Sequence, residues 1–133
     1  MAIVVGYVPT AEGRAALRKG AEEARLRGTR LVVINSNRGG REMGSADSVR
    51  HESELDDVRA QLDRDGIENE VRQLVRGLEP AEDLMAVAEE VGADFIVIGL
   101  RRRTPLGKLI LGSNAQRVLL EATCPVLAVK AEE

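Results

Sequence analysis

Ile98-Gly99-Leu100-Arg101-Arg102-Arg103-Thr104-Pro105-Leu106-Gly107-Lys108-Leu109-Ile110-Leu111-Gly112-Ser113 is the stretch on which the reading of this chain turns. Just before it, Phe95-Ile96-Val97-Ile98 is a short apolar run that reads as a buried strand ending at Gly99. Just after it, Ala115, Val118, Leu119 and Ala122 recur on one helical face, so Gly112-Ser113 opens a helix. Between the two, Leu100 to Leu111 reads as a long basic loop. A helix start carries backbone N–H groups with no intrahelical partner, and these can face an anion. Ser113 adds a hydroxyl donor, and a glycine at the end of the strand lets a ligand come close to the backbone.

Working outward, the same alternation repeats along the chain. Ile3 to Val8 is a first apolar strand, and Thr10 after Pro9 caps a helix from about Ala11 to Arg27 that Gly28 stops. In that helix Leu17, Ala21 and Ala24 share a face. Leu31 to Ile34 is a second strand, and Ser36 to Ser45, with Gly39, Gly40 and Gly44, reads as a flexible loop. A polar helix from about Asp47 to Arg64 carries Val49, Leu55, Val58 and Leu62 as its apolar stripe. Asn69 to Val75 is more polar and reads as a strand at a sheet edge, with Val71 and Val75 on one face. Pro80 opens the next helix, in which Leu84, Val87, Ala88 and Val91 follow helical spacing. Pro125 to Val129 is the fifth and last strand.

The resulting βαβαβαβαβ order predicts one α/β domain over residues 1–133, a five-stranded parallel sheet with helices on both faces and right-handed crossovers. With strand order 3-2-1-4-5 the winding reverses between strands one and four, and ligands of such sheets sit beyond the strands' carboxyl ends at that reversal. Val8-Pro9-Thr10 and the loop after Gly99 flank this crevice.

Composition narrows the function. The chain has 133 residues, 44% of them hydrophobic, with one Phe, one Tyr and no Trp, so the core is built from Val, Ile, Leu and Ala. A net charge of -3 and the lack of aromatics disfavour nucleic acid as a partner. Cys124 is the only cysteine and reads as a small buried hydrophobe. No apolar run approaches a membrane span, and Met1 to Gly6 lacks a basic leader region, so a cytoplasmic protein is expected. His51 stands among Glu52, Glu54, Asp56 and Asp57 on a helix whose charges read as a solvated face, not a metal site. No nucleophile-elbow pattern and no complete phosphate-loop motif are present, and a non-enzyme is expected.

The stretch from Ile98 to Ser113, followed by Ala115-Gln116-Arg117-Val118-Leu119 and Cys124-Pro125-Val126-Leu127-Ala128-Val129, resembles the carboxyl third of universal stress proteins. ATP-binding members of that family carry Gly-x-x-Gly, nine residues, then Gly-Ser or Gly-Thr; Gly99 and Gly112-Ser113 match in identity and spacing. Val75 to Gly77, and Pro80 to Asp94 before strand four, also fit the family layout. The resemblance implies a Rossmann-like fold and a stress-response regulatory protein that binds ATP, with Mg, or AMP. The candidate residues for a nucleotide or another anion are Val8, Pro9, Thr10, Ser36, Gly99, Arg101, Arg102, Gly112, Ser113 and Asn114. It also implies a homodimer through the last strand, at Val126, Leu127, Ala128 and Val129, which would otherwise be an apolar edge open to pairing. Two positions depart from the pattern: Arg102 replaces the second glycine, and Val8 stands where many members have a ribose-binding Asp. Arg101, Arg102, Arg103 and Lys108 concentrate positive charge that can grip phosphate in compensation. A ligand-free dimeric interaction module is the alternative that these departures leave open.

Overall fold

The computed structural model describes residues 1–37, 45–75, 78–102 and 109–131. Expectations for Gly39, Gly40, Gly44, Gly77, Arg103 and Lys108, and for the side chains of Val49, His51, Arg101 and Arg102, lie outside the described residues. The element order is β1 (Ala2–Gly6), α1 (Ala11–Arg27), β2 (Arg30–Asn37), α2 (Ser45–Arg64), β3 (Asn69–Val75), α3 (Pro80–Val91), β4 (Ala93–Arg102), β5 (Leu109–Ile110), α4 (Ser113–Glu121) and β6 (Val126–Lys130).

Five strands form the parallel sheet in the order β3-β2-β1-β4-β6. β1 is central: Val4 stands beside Val32 of β2 and Ile96 of β4. β6 lies on the far side of β4, with Ile98 beside Ala128. This is the five-stranded parallel arrangement that the alternation of elements predicts, with the reversal between β1 and β4. The apolar runs make the central strands because both faces are covered. Ile3, Val5, Tyr7, Leu31 and Val33 pack with α1 and α2, whereas Val4, Val32, Ile34, Ile96 and Ile98 pack with α3 and α4. Each such Val or Ile stabilises the fold by roughly 1.5–3 kcal/mol relative to exposure.

Helix ends follow local chemistry. Thr10 caps α1 by accepting from the Gly13 N–H at 3.2 Å. Gly28 and Gly92 end α1 and α3 in the left-handed conformation, each at φ 63°, where a side chain would be strained.

Several boundaries differ from the sequence reading, the first being β1, which ends at Gly6 and not at Val8 because the chain turns there into α1. β4 does not stop at Gly99 but runs to Arg102, and Leu109–Ile110 returns antiparallel to it, Arg101 opposite Ile110 and Arg102 opposite Leu109. The expected loop from Leu100 to Leu111 is therefore partly a hairpin, and the last parallel strand is sixth in chain order. The reason is long-range: β6 pairs as far as Lys130 beside Leu100, Ala131 N–H donates to the Leu100 carbonyl at 2.9 Å, and Leu100 is buried. Likewise β2 extends through Ser36 and Asn37, which pair with Leu74 and Val75 of β3, so the expected loop starts later. The polar helix begins at Ser45, two residues before Asp47. Val71 packs into the core as expected, but Val75 at the end of the edge strand is 53% exposed.

Candidate functional site

The carboxyl ends of β1, β2 and β4 meet the first turns of α1, α3 and α4 in a cleft of about 140 Å³. Its lining includes Gly6, Val8, Ser36, Leu84, Gly99 and Asn114. A second recess of about 310 Å³ shares Val8, Gly99 and Ala115 with it and extends past Thr10, Leu100 and Gly112. Of the positions singled out in the sequence, Val8, Ser36, Gly99 and Asn114 line the first recess and Val8, Thr10, Gly99 and Gly112 the second.

Two glycines set its shape. After β1 the chain turns sharply, the Thr10 N–H donating to the Val8 carbonyl at 2.8 Å. The first turn of α1 then lies against that same carbonyl: a Cβ on Gly13 would stand 1.8 Å from the Val8 oxygen. Beneath, β4 passes so close to α1 that a Cβ on Gly99 would stand 2.0 Å from the Glu12 oxygen. Three backbones therefore converge where only glycine fits at the contact points. Gly99 was singled out by its spacing; Gly13 was not, although a glycine inside a helix's first turn, where it lowers helix preference, is a visible signal.

Side chains then tie the helix starts together. Ser36 Oγ donates to Asp83 Oδ2, joining the end of β2 to the first turn of α3. Asp83 is wholly buried and Ser36 nearly so. The Asn114 Oδ1 accepts from the Ala81 N–H at 3.0 Å, joining the first turn of α4 to that of α3. Gly112 is the cap residue of α4 and makes no side-chain cap bond. Gly112 and Ser113 are exposed, with Ser113 on the rim outside the lining of both recesses. Pro9 is half-buried in the turn and lines neither recess. Val8 is 42% exposed at the mouth. The backbones of Arg101 and Arg102 continue β4 from Gly99.

Asp83 escaped the sequence reading. It sits four residues before Val87 on the buried stripe of α3, and an acid at that spacing signals a buried polar partner. Asn35 escaped it too. Its Nδ2 donates to the Tyr7 carbonyl at 3.0 Å, tying β2 to the chain leaving β1, while its buried Oδ1 has no partner among the described residues.

Tyr7 reaches the opposite side of the sheet. Its ring packs in the α1–α2 core, and burial together with the neighbouring Glu54 carboxylate pushes its hydroxyl pKa up to about 12. Arg14 Nη2 lies 3.3 Å from Glu54 Oε1. These residues border a groove of about 380 Å³ between α1 and α2, with Leu17, Val58 and Leu62.

Val126 to Val129 are half-buried along β6, which pairs with β4 on one side; among the described residues no strand pairs with its other edge. Leu119 and Leu120 of the adjacent chain segment are 39% and 84% exposed. The Cys124 thiol is partly covered, and burial raises its pKa. No helix among the described residues is long and apolar enough to cross a membrane, and no three His, Cys, Asp or Glu side chains among them gather as a metal site.

This architecture has known counterparts. A family profile described as the Universal stress protein family matches residues 1–130. A universal stress protein of Mycolicibacterium smegmatis is 45% identical over 128 residues, which is 96% of each chain. The solved structure of a universal stress protein from Archaeoglobus fulgidus superimposes with a TM-score of 0.81 at 42% identity, covering 98% of both chains. A structure of the universal stress protein from the same organism in complex with dAMP gives a TM-score of 0.75 at 37% identity over 98% of both chains.

Proposed function

The chain belongs to the universal stress protein family, and from that premise we propose that it is a stress-response regulator that binds an adenine nucleotide in the cleft between β1 and β4. The observation that carries this reading is the convergence at Gly13 and Gly99, which brings the uncapped start of α4 to the mouth of a recess at the winding reversal. The dAMP complex of a relative 37% identical over nearly the whole chain supports it. In this reading Gly112, Ser113 and the α4 N–H groups meet phosphate, aided by Arg101 and Arg102, while Val8, Thr10 and Ser36 border the nucleoside. ATP would bring Mg with it; AMP needs none. The protein's role is capture of the nucleotide, not its turnover, and it acts in the cytoplasm. It works as a homodimer through the open edge of β6 at Val126 to Val129, whose apolar side chains favour a two-fold pairing.

Calorimetric titration of nucleotide-stripped protein with Mg-ATP, AMP and dAMP at two salt concentrations tests the reading. Saturable binding that weakens with salt and with Arg102→Ala is expected. Absence of heat and of thermal stabilisation with all three overturns it. Sedimentation of the same sample tests the dimer, which a monomer at micromolar concentration overturns.

One observation favours a second reading, a ligand-free dimeric interaction module. Val8 stands exposed where many members of the family place a ribose-binding Asp, so the ribose loses a charged acceptor worth about 1.5–3 kcal/mol. If that reading holds, Val8→Asp is the variant that binds nucleotide when the parent does not.

A further inference from the structure

In the groove of about 380 Å³ between α1 and α2 the charges are sorted by wall. The charged lining from α1 is basic, Arg14 and Arg18, and that from α2 is acidic, Glu54, Asp57 and Asp65. Between the walls lies an apolar bed of Leu17, Ala21, Val58 and Leu62. Each helix returns the chain between parallel strands, so the two run in the same direction. Arg14 and Glu54 meet at 3.3 Å at one end, so there the helices stand within reach of each other's side chains. One turn further along each helix come Arg18 and Asp57. Both are exposed, and among the described residues neither has a hydrogen-bond or ion-pair partner. Asp65, beyond them, is held by Gln61, whose Nε2 donates to both carboxylate oxygens at 3.2 Å. One uncommitted cation and one uncommitted anion thus stand on opposite walls above an apolar floor.

This arrangement selects by charge. A plain anion drawn to Arg18 also meets the acids of α2, and a plain cation drawn to Asp57 also meets the bases of α1. A ligand carrying both signs a short distance apart is complemented on both walls. An α-amino acid has that form: its carboxylate and ammonium are attached to one carbon, and its side chain hangs from the same atom. Arginine suits the carboxylate because its planar fork donates two N–H bonds at once. We infer that this groove is a second ligand site, for a free apolar α-amino acid. Arg18 takes the carboxylate, Asp57 takes the ammonium, and the side chain lies on Leu17, Val58 and Leu62. The half-buried Ala21 leaves the room that a branched side chain fills. Either charge alone is held weakly at an exposed rim, so the two charges and the bed act together.

L-Leucine is the probe, and the reporter is the ring of Tyr7, the chain's one tyrosine, which lines the groove. Its ring-proton NMR shifts are followed as leucine is added to the full chain, with and without AMP. Saturable binding at about 1 mM or tighter is expected, unaltered by AMP. Three relatives of the probe each lack one part: 4-methylpentanoate the ammonium, 3-methylbutylamine the carboxylate, glycine the side chain. Each should bind about tenfold more weakly or worse. Arg18→Ala should weaken leucine by about tenfold and leave 3-methylbutylamine as it was. Asp57→Asn should weaken leucine likewise and leave 4-methylpentanoate as it was. Both residues are exposed, so these variants probe the contact and not the fold. Ala21→Leu fills the bed while both charges stay, and should abolish binding. Leucine that leaves the Tyr7 ring unmoved up to about 10 mM, or that AMP displaces, overturns the assignment. So does leucine that binds no better than 4-methylpentanoate or 3-methylbutylamine, or whose affinity survives both Arg18→Ala and Asp57→Asn. Each of these outcomes leaves nucleotide binding in the cleft to stand or fall on its own titration.

Discussion

The cleft at the strand ends and the groove between α1 and α2 share Tyr7, yet they are built by opposite means. In the cleft, backbone rests on backbone at Gly13 and Gly99, and the polar ties are Ser36–Asp83 and Asn114–Ala81. In the groove, the bridging contact is between charged side chains, Arg14 and Glu54, at 51% and 29% exposure, above an apolar bed of Leu17, Val58 and Leu62. A backbone contact at van der Waals distance cannot be loosened by degrees; it is kept or the chain moves. An exposed ion pair can be strained, screened or broken at little cost. The first construction holds a fixed shape, and the second tolerates adjustment between helices.

The largest effect is expected where the backbones meet. Alanine is favoured over glycine inside a helix by about 1 kcal/mol, so Gly13→Ala should stabilise if the position were ordinary. With its Cβ 1.8 Å from the Val8 oxygen, it should instead destabilise by about 3 kcal/mol, read as a lower urea midpoint. A midpoint that rises or stays would erase the contrast between the two regions.

A smaller effect sharpens it from the groove side. Tyr7 is the only tyrosine and the chain has no Trp, so near-ultraviolet absorbance against pH follows this one hydroxyl. The folded protein should ionise it near pH 12, against an ordinary tyrosine value of 10.0. The unfolded chain then loses the proton first, so stability is fully present below pH 10 and declines as pH rises toward 12, by at most about 1.4 kcal/mol per pH unit. Tyr7→Phe should lack this part of the decline. A titration midpoint at the ordinary value would mean that the hydroxyl is open to water.

The smallest effect belongs to the ion pair. Arg14→Ala should cost less than about 1 kcal/mol and less still at high salt. A loss as large as that of Gly13→Ala would show that the groove is as rigidly fixed as the cleft.

Much of the fold was legible because its signals are local. The apolar runs Ile3 to Val5, Leu31 to Ile34 and Phe95 to Ile98 state buried strands, and Thr10, Gly28 and Pro80 mark helix ends by their own backbone chemistry. What escaped depends on partners far along the chain. Arg101-Arg102 looks like a loop by composition, yet strand β4 continues there because β6 accompanies it to Leu100 and Leu109–Ile110 folds back on it. Of the site, the spacing of Gly99 and Gly112-Ser113 was readable. The 47-residue separation of Ser36 from Asp83 hid that pair, since neither residue carries a local signature of the other. Gly13 was visible as a glycine in a helix's first turn, but its reason was not: that comes from where the Val8 carbonyl ends up, a matter of three-dimensional approach.

The bond from Ala81 N–H to Asn114 Oδ1 has a mechanical consequence. Through it the first turns of α3 and α4 are yoked, and through Asp83 the yoke reaches the end of β2. A force applied at the start of α4 is thus borne by α3 and by the end of β2, although neither need touch whatever applies it.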